Sequence, residues 1–202
     1  ICLPEAAPMS KVEATRRLGA EICLVPGVYD DAYNRALAMR DEFGYTFIHP
    51  FNDENVIAGQ GTIALEILEE LPDVDVIVVP VGGGGLISGV AYAAKTLNPN
   101  IKVYGVQAEN AASMLRSLEA KEPVLLTSVS TIADGIAVKK PGDITFDICS
   151  NYVDGVVTVS EEEICAAILR LIEKKKMVAE GAGATSVAAV MFNKVPVKGK
   201  KT

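Results

Sequence analysis

Histidine is nearly missing from this chain: among 202 residues there is one, His49. A multi-histidine zinc centre is therefore excluded, and any Ser/His/Asp triad would have to use His49 alone. His49 stands between a short apolar run, Tyr45 to Ile48, that reads as a strand, and Pro50, a position where a polar residue reads as structural. Cysteine is scarce as well. Cys2, Cys23, Cys149 and Cys165 show no C-x-x-C spacing and sit among apolar neighbours, so they read as reduced core residues rather than disulfides or metal ligands. Positive charge is in deficit, with 19 Lys and Arg against 26 Asp and Glu, a net charge of -7. The one basic run, Lys174 to Lys176, closes a helix, which leaves no patch able to follow a phosphodiester backbone and excludes nucleic acid. No apolar run has the length of a transmembrane helix and no signal peptide is visible, so a cytoplasmic location is expected, with no membrane partner.

What is present is apolar chain: half of the residues are hydrophobic and 22% are charged. That suffices for one large domain or two small ones with a proper core.

The most informative stretch runs from Asp75 to Leu97. Val76 to Val81 is a near-continuous β-branched run, the pattern of a strand buried on both faces of a parallel sheet. Leu86, Val90, Ala93, Ala94 and Leu97 then recur at helical spacing, which puts four consecutive glycines, Gly82 to Gly85, on a strand-to-helix turn. Four glycines lose much backbone freedom on folding, and what they offer is an uncluttered row of N–H groups at a helix N-terminus, where an anion is favoured. The turn is not a Walker loop, because no Lys-Ser/Thr follows, and it fits neither phase of G-x-G-x-x-G. A phosphate site and a tight turn for close helix-sheet packing both remain open on the residues alone, with phosphate the better account of four glycines.

In chain order, Ser10 and Glu13 form a capping-box pattern opening a helix that stops at Gly19. Glu21 to Val25 reads as a strand, Val28-Tyr29-Asp30 leads into a helix to Phe43 stopped by Gly44, and the strand at Tyr45 to Ile48 follows. Residues 1 to 50 are therefore expected to be part of a small α/β domain, and 51 to 202 a large one. Val56 to Leu71 is a helix with Ile57, Ala64, Leu65, Leu68 and Leu71 on its apolar face, while Gly59 and Gly61 let another backbone come close; Gln60 reads as a helix-start residue bonded to backbone. Lys102 to Gln107 and Val153 to Val159 are strands, Asn110 to Glu119 a helix, and Ser160 with Glu163 a second capping box. Ser130 to Ala137 is a small-residue segment of the kind that lines a site, and Glu180 leads into an Ala/Gly-rich helix to about Phe192. The alternation indicates an α/β fold with a doubly wound, mostly parallel sheet. Both ends read as cut through strands, so an internal fragment of a longer protein is expected.

Five motifs together resemble one family. Val56-Ile-Ala-Gly-Gln-Gly-Thr62, Pro80 to Gly89, Ser130 to Ile136, Val157 to Ile164 and Glu180-Gly-Ala-Gly-Ala184 are similar, in order, to the threonine dehydratases (threonine ammonia-lyases) of the fold type II pyridoxal-phosphate enzymes. The resemblance implies that Gly82, Gly83, Gly84, Gly85 and Leu86 hold the phosphate of pyridoxal 5'-phosphate. It places Asp134, Gly135 and Glu180 near the cofactor, against the plainer readings of a turn aspartate and a helix cap. Phe51, two residues after His49, matches the aromatic of threonine dehydratases where serine racemases carry Asn, and is read as a substrate neighbour or a core residue. The racemases' cation site pairs a Glu with an Asp six residues on; Glu109 matches the first, Leu115 stands at the second, and no metal is expected.

The implied activity is β-elimination of L-threonine, and of L-serine, to 2-oxobutyrate or pyruvate and ammonia, by a homo-oligomer of the tetrameric kind. The family's Schiff-base lysine is absent and is expected upstream, so no catalytic residue is assigned and the fragment alone is expected to be inactive. A serine dehydratase or racemase, or a non-catalytic phosphate-ligand module, are the alternatives.

Overall fold

A computed structural model describes residues 1–27 and 29–202. Val28, the start of the expected lead-in to the second helix, lies outside the described residues. The chain divides into two compact units, residues 1–48 and 49–202.

The first unit holds β1 (Cys2–Pro4), α1 (Met9–Arg17), β2 (Cys23–Val25) and α2 (Tyr29–Phe43), with β1 and β2 parallel and Cys2 opposite Cys23. Three expectations change here. α1 begins at Met9 with Pro8 as its N-cap and no side-chain cap, so Ser10 is already inside the helix and the capping box does not form. Proline's fixed φ supplies the turn entry instead. Strand β2 is shorter than the run from Glu21 suggests. Tyr45 to Ile48 is irregular, with Ile48 69% exposed: an apolar run becomes a strand only where a partner strand takes its hydrogen bonds. Gly44, with φ +71, ends α2 as expected.

The second unit is built on a parallel sheet in the order β3-β4-β5: β3 (Val76–Pro80), β4 (Lys102–Ala108) and β5 (Gly155–Val159). Six α-helices of the described residues accompany it: α3 (Glu54–Glu70), α4 (Gly85–Leu97), α5 (Ser113–Ala120), α6 (Asp143–Tyr152), α7 (Glu161–Arg170), which runs on into a π-turn at Leu171–Lys175, and α8 (Gly181–Met191).

Successive side chains of a strand point to opposite faces, and the sheet is covered on both. Ile77, Val79, Val81 and Val103 join Ile87, Val90, Ala94, Met114 and Cys149 in one core. Val106, Ala108 and Val159 join Ile164, Ala167, Ala184 and Ala188 in the other. This is the α/β architecture the alternation indicates, and burial on both faces is why β3 reads as an unbroken apolar run.

Asp154 fastens the entry to β5. Its carboxylate meets Lys95 at 2.6 Å and Lys102 at 2.8 Å, and accepts the Val103 N–H at 2.8 Å. Burial pushes its pKa up, but these partners outweigh burial and hold it below the usual carboxylate range.

Other differences are local. Asp53 caps α3 through the N–H groups of Asn55 and Val56, so the helix starts two residues early and Gln60 lies well inside it. Leu65 and Leu97 are exposed, not buried. Nothing lies within 4 Å of a Cβ built on Gly59, so only Gly61 marks a close approach. The capping box at Ser160 and Glu163 forms as read. Helix α6 has no counterpart in the sequence reading; its Ile, Thr, Phe and Cys are weak helix formers, and burial of Thr145 and Cys149 together on one face decides it. All four cysteines are free, yet only Cys149 is buried and Cys165 is exposed.

Candidate functional site

The Val81 N–H still donates to the Val106 carbonyl at 2.8 Å, so the chain leaves the sheet only at Gly82, at the carboxyl edge where open α/β sheets receive ligands. Gly84 is the N-cap of α4 with φ +98, a left-handed conformation that strains any residue with a Cβ. The first helical bond runs from the Ser88 N–H to the Gly84 carbonyl at 3.0 Å. Helix geometry therefore leaves the N–H groups of Gly85, Leu86 and Ile87 without an intrahelical acceptor, and Gly84 has no side chain to cap them.

Side chains are excluded from this turn by its neighbours. A Cβ on Gly83 would stand 2.5 Å from the Phe51 ring, and one on Gly85 2.8 Å from Phe51 Cβ. On Gly84 it would meet Met114 Cε at 2.7 Å and Thr145 at 2.9 Å. A row of amide donors at the positive end of a helix, with no room for Cβ atoms, is what a phosphate monoester needs from a backbone cradle. The turn fits such a group.

The other residues singled out in the sequence come together beside it. A Cβ on Gly82 would lie 3.1 Å from Ile136 Cα. Ile136 closes a 3-10 turn that begins with Asp134 and Gly135. A Cβ on Gly135 would in turn stand 3.3 Å from Glu180 Oε1 and 3.2 Å from Ala182 Cβ. Phe51 thus adjoins the glycine turn, the turn adjoins the Asp134 to Ile136 segment, and Gly135 adjoins Glu180, with Asp134 and Glu180 exposed. The Ser130 to Ala137 segment bridges the glycine turn and α8, held by Glu161, whose carboxylate accepts the Ile132 N–H at 2.8 Å.

His49 serves the same rim structurally. Its Nδ1 accepts the N–H groups of Phe51 at 3.2 Å and Asn52 at 2.9 Å, and its ring meets Phe51 edge-on at 4.5 Å. Burial lowers its pKa, and Asp53 opposes that shift. At the racemase-like pair, Glu109 is exposed and the Leu115 N–H is bonded to Gln107 Oε1 at 2.9 Å. Among the described residues no three His, Cys, Asp or Glu side chains gather closely enough to hold a metal ion.

Sequence reasoning missed four residues here. Gln107, fully buried, donates to Val81 and Ala111 carbonyls at 3.1 and 3.2 Å, anchoring the strand end before the glycines. Ser88 donates to the Thr145 carbonyl at 3.3 Å. Thr145 donates to the Gly83 carbonyl at 2.6 Å, and Asn52 accepts the Ile144 N–H at 2.9 Å. A polar residue inside an apolar strand is a usable signal for Gln107; the other three have none, since their partners are 57 or more residues away.

A family model described as pyridoxal-phosphate dependent enzyme matches residues 1–202. An L-threonine ammonia-lyase of Thermotoga maritima is 58% identical over 201 residues, which are 100% of this chain and 50% of that protein. Among solved structures, the processed form of threonine deaminase isoform 2 from Solanum lycopersicum has a TM-score of 0.89 at 40% identity, covering 95% of this chain and 57% of that one. Maize serine racemase has a TM-score of 0.92 at 35% identity, covering 98% and 61%. The chain spans about half the length of the first curated relatives it matches.

Proposed function

Because this chain belongs to the pyridoxal-phosphate dependent enzymes, we propose that the full-length protein is an L-threonine ammonia-lyase that also accepts L-serine, releasing 2-oxobutyrate or pyruvate and ammonia. The observation that carries the reading is the Gly82 to Gly85 turn, where unpartnered amides at the start of α4 meet a space closed to side chains. The choice of threonine is supported by the 58% identity to a protein named L-threonine ammonia-lyase, and by Phe51 against the glycine turn.

In this reading Gly82 to Leu86 bind the cofactor phosphate through backbone N–H groups, and Asp134, Gly135 and Glu180 border the cofactor. Phe51 closes the side of the cradle from water and adjoins the substrate. When bound, the cofactor supplies the electron sink for the charge left on the substrate's α-carbon. No lysine of this chain is assigned as the base or the cofactor-bearing amine. Work in the cytoplasm as a homotetramer belongs to the same proposal and rests on the likeness to threonine dehydratases. No helix of the described residues is long and apolar enough to cross a membrane.

The test is turnover by the full-length protein loaded with pyridoxal phosphate. We expect 2-oxobutyrate from L-threonine with a higher kcat/KM than pyruvate from L-serine. A reversed ratio or D-serine as the main product would replace the reading with a serine enzyme, and no cofactor uptake would leave a non-catalytic module.

A further inference from the structure

The peptide unit joining Gly83 and Gly84 is controlled from outside the turn. Its carbonyl oxygen, on Gly83, accepts the Thr145 hydroxyl at 2.6 Å and the Gly142 N–H at 3.3 Å. Its N–H, on Gly84, belongs to the same rigid trans plane and must point the opposite way. A peptide between two glycines has no Cβ on either side to hinder rotation, so nothing local prevents it from turning over. The grip on the Gly83 oxygen decides the direction of the Gly84 N–H.

That grip is itself braced. Thr145 is fully buried and shares its one hydroxyl proton between the Gly83 carbonyl and the Gly142 carbonyl, 3.1 Å away. Gly142 is the N-cap of α6 and has no side chain to cap the helix. Asn52 does so from a distant part of the chain: its Oδ1 accepts the Ile144 N–H at 2.9 Å, and a Cβ on Gly142 would collide with the Asn52 side chain. Asn52 is fixed in turn by its own N–H on His49 Nδ1.

We propose that Thr145 and Asn52 are positioning residues of the anion cradle: Thr145 sets the orientation of the Gly83–Gly84 peptide, and Asn52 holds the start of α6 so that Thr145 and Gly142 reach it. The inference rests on the reading of the glycine turn as a phosphate clamp. Without the grip, the Gly84 amide samples both directions and the cradle presents its donors for only part of the time, which lowers apparent affinity in proportion.

The experiment uses the full-length protein, with the dissociation constant for pyridoxal phosphate, the 31P NMR shift of the bound phosphate, and unfolding of the cofactor-free protein as readouts. We expect Thr145→Val to weaken cofactor binding roughly tenfold and move the 31P signal, and Thr145→Ser, which keeps the hydroxyl, to restore both. Asn52→Leu should act in the same direction more weakly. Asn52→Asp should match the wild type, because a carboxylate also accepts the Ile144 N–H at a helix N-terminus. The Asn52 pair keeps the question answerable if Thr145→Val fails to fold. Folded Thr145→Val, or in its place folded Asn52→Leu, with wild-type affinity and an unmoved 31P signal overturns the inference alone, even if the cofactor-free protein is less stable. Wild-type protein that takes up no pyridoxal phosphate overturns the clamp reading and the inference with it.

Discussion

Gly61 and Gly89 meet where α3 crosses α4: a Cβ on Gly61 would stand 3.2 Å from the Gly89 carbonyl oxygen, and one on Gly89 would stand 2.6 Å from the Gly61 nitrogen and collide with the Ile57 carbonyl. The helices touch backbone to backbone, and α4 carries the glycine turn at its start. Gly89→Ala must push α3 away and should cost about 3 kcal/mol of stability. Gly59→Ala, with nothing within 4 Å, should instead gain up to about 1 kcal/mol from helix propensity. Urea unfolding of the two variants beside wild type checks the opposed signs.

Gln107 satisfies the Val81 carbonyl, the Ala111 carbonyl and the Leu115 N–H with one buried amide. Gln107→Leu leaves all three without this partner in the interior. We expect a loss of about 3 kcal/mol, measured as a lower urea midpoint at unchanged slope.

The His49 ring must be neutral at Nδ1 to accept two amides, and burial lowers its pKa below the ordinary 6.5. Between the folded value and 6.5 the unfolded chain binds more protons, so this group's contribution to stability is full above pH 6.5 and is lost as pH falls through that window. Comparing unfolding at pH 7.5 and 5.5, wild type should lose more stability than His49→Gln, whose amide oxygen remains an acceptor at both values. Equal losses would show that His49 does not titrate against these bonds.

The thiols should separate by reactivity. Burial pushes the Cys149 pKa up to about 12, and its sulfur lies 3.7 Å from Ser88 Oγ, whereas Cys165 is exposed on α7. A thiol reagent at neutral pH should label Cys165 in the folded protein and reach Cys149 only after denaturant is added. Mass spectrometry of the labelled peptides distinguishes the two sites.

Much of the site was legible because its chemistry is local. Four glycines between a β-branched run and a helical pattern specify an amide row at a sheet edge, whatever surrounds them. The Ser160 and Glu163 box, the Gly44 stop, and strands β3, β4 and β5 likewise follow from residues within a few positions of one another. Ser10 failed by the same logic, since Pro8 offered an equally local start two residues earlier.

What the sequence by itself determined is therefore the α/β alternation, the doubly covered sheet and the place of the glycine turn, each set by short-range periodicity and backbone sterics. The tertiary structure alone decided that α6 is a helix, that Gly61 and not Gly59 is the crossing point, that Thr145 reaches the turn from 62 residues away along the chain, and that Asn52 caps α6 at Ile144, 92 residues away. The physical reason is that burial and hydrogen-bond satisfaction depend on which segments come together in space, and a side chain whose partner is that distant leaves no periodic trace in its own neighbourhood.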